Sequence, residues 1–297
     1  MWVFLGLRRC PSSSSRVRSR PATLGQMPLF RIVGLLALAI PAFATSASLT
    51  APHVRVELIK ENQTTQPGRD FAVGLLFHLE KGWHIYWRNP GDSGSPPQVQ
   101  WKLPRGLHAG DIQWPYPQRI RVGPLMNYGY EDEVLLITPM RAASKLPSGP
   151  AKIDAAVKWV ICQEVCIAGK GDLSLALPVA SAIPAPSPFH DLFVKTRRHL
   201  PRALPAAWKL TAVSLPDALV LTGRSPRSIS TAEFFPTESL IIENAVPQIF
   251  KNSSPTQFSL RMKKSEQLSK PVPRLMGILV NDGRAYEVAI PVISRAR

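Results

Sequence analysis

Between residues 48 and 180, apolar and polar residues alternate along several short segments that are separated by Gly-, Pro- and Asn-rich stretches. A period of two places apolar side chains on one face of a β-strand, and strands of this kind predict an antiparallel β-sandwich. The predicted strands of this first region include His53–Ile59, Phe71–Leu79, Glu133–Pro139, Lys152–Ile161 and Asp172–Val179.

A similar pattern continues from residue 206 to the end of the chain. Its clearest element is a hairpin of Leu275–Val280 and Ala285–Ile290 joined through Asp282-Gly283, because an Asp-Gly pair between apolar runs suits a tight turn. We therefore predict a second, smaller β-sandwich, and an all-β fold class with two sandwich domains. The other predicted strands here are Ala218–Thr222, Ser239–Glu243 and Gln257–Met262.

The segment between these regions has a different composition. Ala182–Pro188 (AIPAPSP) is typical of a semi-rigid, proline-rich linker, and Phe189–Leu200 predicts a short basic amphipathic helix. The expected organisation is a signal peptide (1–47), a first sandwich (48–180), a linker with a short helix (181–205) and a second sandwich (206–297).

The N-terminus has the pattern of a secretory signal. Six arginines precede residue 45 without any acidic residue, and the apolar run Ile32–Phe43 leads into small residues that fit a cleavage site at Ala44 or Ala47. We expect cleavage and a periplasmic protein without a stable membrane span. A single N-terminal anchor is the alternative, and Met27 is a candidate for the true start.

Charge and composition exclude several classes of protein. The net charge of the 297 residues is +16, and removal of the six signal arginines leaves +10 without a basic run interleaved with aromatics, so a nucleic-acid partner is not expected. A hydrophobic content of 45% excludes a disordered chain. Of the three cysteines, only Cys162 and Cys166 follow the signal, too few to staple the fold.

These two cysteines are four residues apart at the end of an apolar strand. In an extended strand their α-carbons would be about 13 Å apart, so they pair only if residues 163–165 turn. The spacing leaves two hypotheses open, a local structural disulfide and a redox-active pair. Glu164 disfavours a thiolate, whereas Lys158 and Lys170 favour one.

Aromatic residues form two further clusters. Alternation places Trp83, Ile85 and Trp87 on one face of a strand, as in a sandwich core, and His84 and Tyr86 on the other. No spaced set of ligands accompanies His84, so we expect neither a metal nor a cofactor. Between Trp114–Pro117 and Asn127–Glu131 we expect a long loop, either a cover for a reactive site or a proline-stiffened connection.

Several motifs, in this order, resemble the N-terminal periplasmic domain of the DsbD family of thiol:disulfide interchange proteins, particularly its ScsB-like branch. The motifs are Gly82–Gly94 (GWHIYWRNPGDSG), Trp101–Pro104 (WKLP), Trp114-Pro115, Tyr128–Tyr130 (YGY) and Val160–Ala168 (VICQEVCIA). The resemblance implies immunoglobulin-like sandwiches and a redox role for Cys162 and Cys166. The best-known members place five residues between their cysteines; here there are three, as in the ScsB-like branch.

The resemblance also implies partners and neighbours for the pair. A membrane-embedded thiol reductase of the DsbD or CcdA type would supply electrons, and periplasmic thioredoxin-fold proteins would receive them, a chemistry linked to cytochrome c biogenesis. The segment from Tyr116 to Tyr130 would contain a cap loop that shields the pair. The expected site is Cys162 and Cys166 with the neighbours His84, Tyr86, Glu164, Tyr116, Tyr128 and Tyr130.

We therefore expect an exported thiol:disulfide oxidoreductase that acts as an adaptor, with Cys166 favoured as the attacking residue. Because the chain carries neither the transmembrane nor the thioredoxin domain usual in the family, we expect its electron donor to be a separate protein. The alternative is a non-enzymatic binding module with a structural Cys162–Cys166 bridge, in envelope assembly or metal tolerance.

Overall fold

The computed structural model describes residues 47–147 and 149–294, so the predicted signal segment lies outside the described part except for its last residue. Within that part the chain is almost entirely β-structure, which confirms the all-β fold class. The first strands are β1 (Ser48–Ala51), β2 (Val54–Lys60), β3 (Phe71–Leu79), β4 (His84–Gly91), β5 (Gln98–Lys102), β6 (Leu107–Ala109), β7 (Gln118–Val122), β8 (Leu125–Glu131), β9 (Glu133–Ala142), β10 (Ala151–Cys162) and β11 (Cys166–Leu177).

These strands form two antiparallel sheets that face each other. One has the order β1-β2-β3-β9-β6, and the other has the order β11-β10-β4-β8-β7 with β5 paired to β10. Apolar side chains from both sheets share one core, in which Leu75 and Leu136 of the first sheet meet Trp87 and Ile161 of the second. This is the sandwich that alternation predicts.

Strand β3 is apolar on both faces because both faces are covered. Its outer residues Ala72 and Leu76 pack with Phe193, which lies on the helix α1 (His190–Arg197). The proline-rich segment before this helix is bound to the same sandwich, since the backbone of Gln63 donates to the carbonyl of Ala185 at 2.9 Å.

The C-terminal half is one curled sheet around its own core. Strand order is β15-β18-β19-β13-β14-β17-β16, with the short β12 beside β19. Leu279 on one side of the curl packs with Leu221 and Phe258 on the other. Its strands are β12 (Arg202–Ala203), β13 (Lys209–Ser214), β14 (Ala218–Arg224), β15 (Glu233–Pro236), β16 (Ile249–Ser254), β17 (Gln257–Lys263), β18 (Arg274–Asn281) and β19 (Arg284–Ser294).

Two local predictions are wrong. The segment Ser239–Glu243 is not a strand but a turn-rich connection with one bridge, Ile242 to Lys264. The expected long loop between Trp114–Pro117 and Asn127–Glu131 contains β7 and β8, a hairpin that turns at Gly123 with a φ of 57°. The sequence of β7 lacks the apolar alternation that would indicate a strand, because a polar side chain on it has its partner in the C-terminal half. Arg119 donates to Glu233 there instead of facing solvent.

The two halves also touch directly. The ring of Phe235 on β15 meets the rings of Trp87 and Tyr128 edge-on, with centroid separations of 6.4 and 5.1 Å. Phe235 and Ile278 therefore belong to the core of the first sandwich. All described residues lie in one compact unit, and the division into domains at residues 181–205 stays a prediction.

Candidate functional site

The two cysteines lie at the tip of the β10–β11 hairpin, where they are direct cross-strand partners. Residues 163–165 supply the turn that the spacing requires, the α-carbons are 4.1 Å apart, and the sulfurs form a disulfide. Cys162 is only 2% exposed, whereas Cys166 and the turn residue Glu164 are exposed. The bridge is therefore asymmetric, with one cysteine exposed and the other buried.

Tyr86 is the polar neighbour of the disulfide. In β4, His84 lies opposite Cys162 of β10, and alternation places the Tyr86 side chain on the same sheet face. Its hydroxyl lies 2.7 Å from Sγ of Cys162 and 3.6 Å from Sγ of Cys166. Burial raises the pKa of Tyr86, and a hydrogen bond with Ser93 has the opposite, smaller effect, so the phenol keeps its proton and donates to the Cys162 sulfur.

The loop after β4 covers the Tyr86 ring. Gly94 has a φ of 80°, and a Cβ at this position would overlap the ring atoms of Tyr86. Only glycine permits both this backbone conformation and this close approach. The sequence showed a turn-rich loop here, but not the tyrosine on which it packs.

A polar chain continues from this loop to His84. The hydroxyl of Ser93 donates to Oδ1 of Asn127 at 2.9 Å, and Nδ2 of Asn127 lies 3.2 Å from Nε2 of His84. Because an amide nitrogen only donates, Nε2 is the acceptor and the ring is neutral. Burial lowers the pKa of His84, in agreement with that state. Ser93 and Asn127 were not among the expected site residues.

The other three expected tyrosines have their contacts elsewhere. Tyr128 donates to Oδ1 of Asn244 at 2.8 Å, and Tyr130 donates to the carbonyl of Pro115 at 2.7 Å. Burial raises the pKa of both phenols. The ring of Tyr116 lies 5.7 Å from that of His199. Tyr128 and Tyr130 alternate with Gly129, the partner of Tyr86, and so point into the core instead of toward the sulfurs.

The site has the parts needed for thiol chemistry. Across residues 47–147 and 149–294, no three His, Cys, Asp or Glu side chains come together as metal ligands. In the same stretches no helix combines the length and apolar character needed to cross a membrane. The arrangement offers an exposed cysteine, a buried cysteine bonded to it and a hydrogen-bond donor, the Tyr86 hydroxyl, directed at the buried sulfur.

The part of the chain that contains this site is similar to a known protein family. Residues 55–178 match the family model of the N-terminal part of the thiol:disulfide interchange protein DsbD. This segment contains both cysteines, Tyr86 and Gly94. No curated protein matches the chain in sequence.

Among solved structures, the N-terminal periplasmic domain of ScsB from Proteus mirabilis is 19% identical with a TM-score of 0.60, over 84% of this chain and 98% of that one. This likeness confirms the immunoglobulin-like sandwich fold. Two other structures have TM-scores too low to support an argument. A conserved domain protein from Bacillus anthracis is 11% identical with a TM-score of 0.23, over 78% of this chain and 75% of that one. The periplasmic chaperone SfaE is 12% identical with a TM-score of 0.22, over 81% of this chain and 100% of that one.

Proposed function

Because residues 55–178 match the family model of the DsbD N-terminal part, we propose that this protein is a periplasmic thiol:disulfide exchange adaptor that works through Cys162 and Cys166. It takes electrons from a membrane-embedded thiol reductase and passes them to exported thioredoxin-fold proteins. The observation that carries the proposal is the asymmetric disulfide, with Cys166 exposed and Cys162 buried against the Tyr86 hydroxyl.

The exposed sulfur fits the attacking role. In the reduced protein, the thiolate of Cys166 attacks one sulfur of a partner disulfide, a mixed disulfide forms, and the other partner sulfur leaves as a thiolate. The thiolate of Cys162 then attacks Sγ of Cys166. This step releases the partner as a dithiol after protonation and restores the Cys162–Cys166 disulfide, so two electrons have passed to the partner.

The buried sulfur fits the resolving role. Hydrogen bonds to a charged group are about twice as strong as those between neutral groups, so the Tyr86 hydroxyl stabilises a Cys162 thiolate more than a disulfide sulfur. The donor therefore favours the state in which Cys162 attacks Cys166. A bridge that served stability alone has no need of such a donor.

The size of the closed loop also favours exchange over a structural role. The bridge spans a sequence separation of four, and the loop-entropy model gives a stabilisation of about 2 kcal/mol for so short a loop. A longer loop would stabilise the fold more. An exported location fits as well, since thiol pairs cycle with disulfides in the oxidising periplasm.

Trapping with single-cysteine variants tests the proposal. Cys162→Ala leaves the exposed Cys166, and we expect it to accumulate mixed disulfides with exported thioredoxin-fold proteins. Cys166→Ala leaves the buried Cys162 and should trap less. The double variant is the control and should trap nothing.

A measured reduction potential completes the test, because structural disulfides typically lie below about −300 mV. We expect a higher potential for Cys162–Cys166. A potential below that value, together with no trapped partner in either variant, would overturn the proposal and leave the binding module with a structural bridge.

A further inference from the structure

We propose that Asn244, in the C-terminal half of the chain, is a positioning residue for the Cys162–Cys166 pair. It fixes the loop Asp92–Gly94, and this loop holds Tyr86 against the sulfurs. This role rests on the proposed exchange function and gives the C-terminal half a part in it.

Asn244 is buried in the contact between the two halves, with 6% exposure. Its Nδ2 donates to Oδ1 of Asp92 at 2.8 Å, and its Oδ1 accepts from the Tyr128 hydroxyl at 2.8 Å. Its backbone carbonyl accepts from the guanidinium of Arg119. Both ends of the amide are thus bound to the first sandwich, which fixes the orientation of the side chain.

Asp92 transfers this constraint to the strand beside Tyr86. Its Oδ2 accepts from the backbone N–H of Met126 at 2.8 Å, and its own N–H donates to the carbonyl of Met126 at 3.1 Å. The carboxylate therefore bridges Asn244 and β8.

The two residues after Asp92 contact the site itself. Ser93 donates to Asn127, which in turn contacts His84, and Gly94 lies on the Tyr86 ring. The loop has positive φ angles at Gly91 and Gly94 (83° and 80°), so its course depends on such outside contacts. A shift of the loop would free the ring whose hydroxyl lies on Cys162.

The start of the loop is anchored to the same C-terminal segment. Nδ2 of Asn89 donates to the carbonyl of Pro236 at 2.8 Å, and Oδ1 accepts from the N–H of Gly91 at 3.1 Å and from the hydroxyl of Ser239 at 3.1 Å. Asn89 is 2% exposed. Residues 236–244 therefore hold both ends of the turn that leads from β4 to Gly94.

The Asp92–Asn244 pair allows a swap experiment. Asn244→Asp keeps an acceptor for Tyr128 but turns the donor toward Asp92 into a second carboxylate. Asp92→Asn combined with Asn244→Asp restores one donor facing one acceptor, and leaves acceptors for Met126 and Tyr128. Asn281→Asp is the matched control, because Asn281 is also buried in the C-terminal half but donates to the carbonyl of Thr231.

The measurement is the equilibrium of the pair with reduced and oxidised glutathione, in full-length exported protein, with urea unfolding in parallel. Asn244→Asp should lower the equilibrium constant for reduction about tenfold, a shift of about 30 mV to more negative potential. The swapped pair should regain most of the wild-type equilibrium constant. Asn281→Asp should lose stability without a shift in reduction potential.

Each result separates the two proposals. A wild-type protein that exchanges with partners, combined with a folded Asn244→Asp variant of unchanged potential, would overturn the role of Asn244 alone. A wild-type protein that exchanges with no partner would overturn the proposed function. If Asn244→Asp does not fold, the single variant Asp92→Asn decides, because its one amide oxygen cannot accept from both Asn244 and the N–H of Met126. A more negative potential in folded Asp92→Asn supports the positioning role, and an unchanged potential refutes it.

Discussion

The hydroxyl of Tyr86 lies 2.7 Å from Sγ of Cys162 and 3.6 Å from Sγ of Cys166, so one phenol contacts both sulfurs of the disulfide. The phenol is buried, and burial raises its pKa. It therefore acts as a fixed hydrogen-bond donor rather than as an anion. A donor in this place stabilises negative charge on Cys162 when the bridge is reduced.

Tyr86→Phe removes this donor and keeps the ring. A hydrogen bond to a charged group contributes about 1.5–3 kcal/mol, and one pKa unit corresponds to about 1.36 kcal/mol. We therefore expect the thiolate of the reduced protein to form about one to two pH units higher, with slower exchange. Thiolate absorbance in the ultraviolet, followed as a function of pH, gives the titration midpoint.

Tyr286→Phe is the control for this change, because Tyr286 lies in β19 and packs on Trp208 in the C-terminal core. It should leave the thiolate titration unchanged. An identical titration for Tyr86→Phe and the wild type would show that the phenol does not influence the sulfurs.

Alternation alone was enough to predict which side chains between Trp83 and Trp87 face the core. Trp83, Ile85 and Trp87 lie in the core as predicted, because a period of two is a local property of the strand. The separation of the cysteines likewise required a turn, and the hairpin supplies it.

The contacts of Asn127 and Asn244 could not be predicted in this way. They depend on which strands become neighbours, and β4 pairs with β8 across an irregular register between Tyr86 and Gly91. Local patterns do not encode such pairing. For the same reason Tyr128 and Tyr130 were expected near the site, whereas the alternation of β8 around Gly129 turns them into the core.

Gly94→Ala should disturb both the fold and the redox site. The new Cβ would overlap the Tyr86 ring, and the left-handed backbone costs a non-glycine residue about 1–2 kcal/mol. We expect a loss of free energy of unfolding above that range and a more negative reduction potential. Urea unfolding and glutathione equilibration measure the two effects.

Gly123→Ala separates backbone strain from overlap. Gly123 also has a positive φ, of 57°, but a Cβ there would meet no atom within 4 Å. This variant should lose only the free energy of unfolding that the left-handed backbone costs, without a change in reduction potential. Equal losses of stability in Gly94→Ala and Gly123→Ala would mean that the Tyr86 ring moves to make room for the added methyl group.

Reduction of the disulfide should leave the fold intact. The bridge links residues four apart in sequence, and its loss removes about 2 kcal/mol in the loop-entropy model. We expect the urea midpoint to fall modestly with dithiothreitol, while circular dichroism keeps its β-sheet signature. Cys162→Ala/Cys166→Ala should match the reduced protein. Unfolding on reduction alone would indicate a structural bridge.

His84 should make the stability of the oxidised protein depend on pH. Burial lowers the pKa of His84 from its ordinary 6.5, so below about pH 6.5 the unfolded chain binds a proton that the folded chain does not. The free energy of unfolding therefore falls as the pH drops through this value and levels off below the folded pKa. Protonation would also end the contact in which Nε2 accepts from Asn127.

His84→Gln keeps an acceptor for Asn127 and removes the titration. We expect its urea midpoint to change less than that of the wild type between about pH 7.5 and about pH 5.5. His108→Gln, at an exposed position, should behave like the wild type. If His84→Gln and the wild type lost the same stability over this range, His84 would not be the group that titrates, since both proteins share every other ionisable residue.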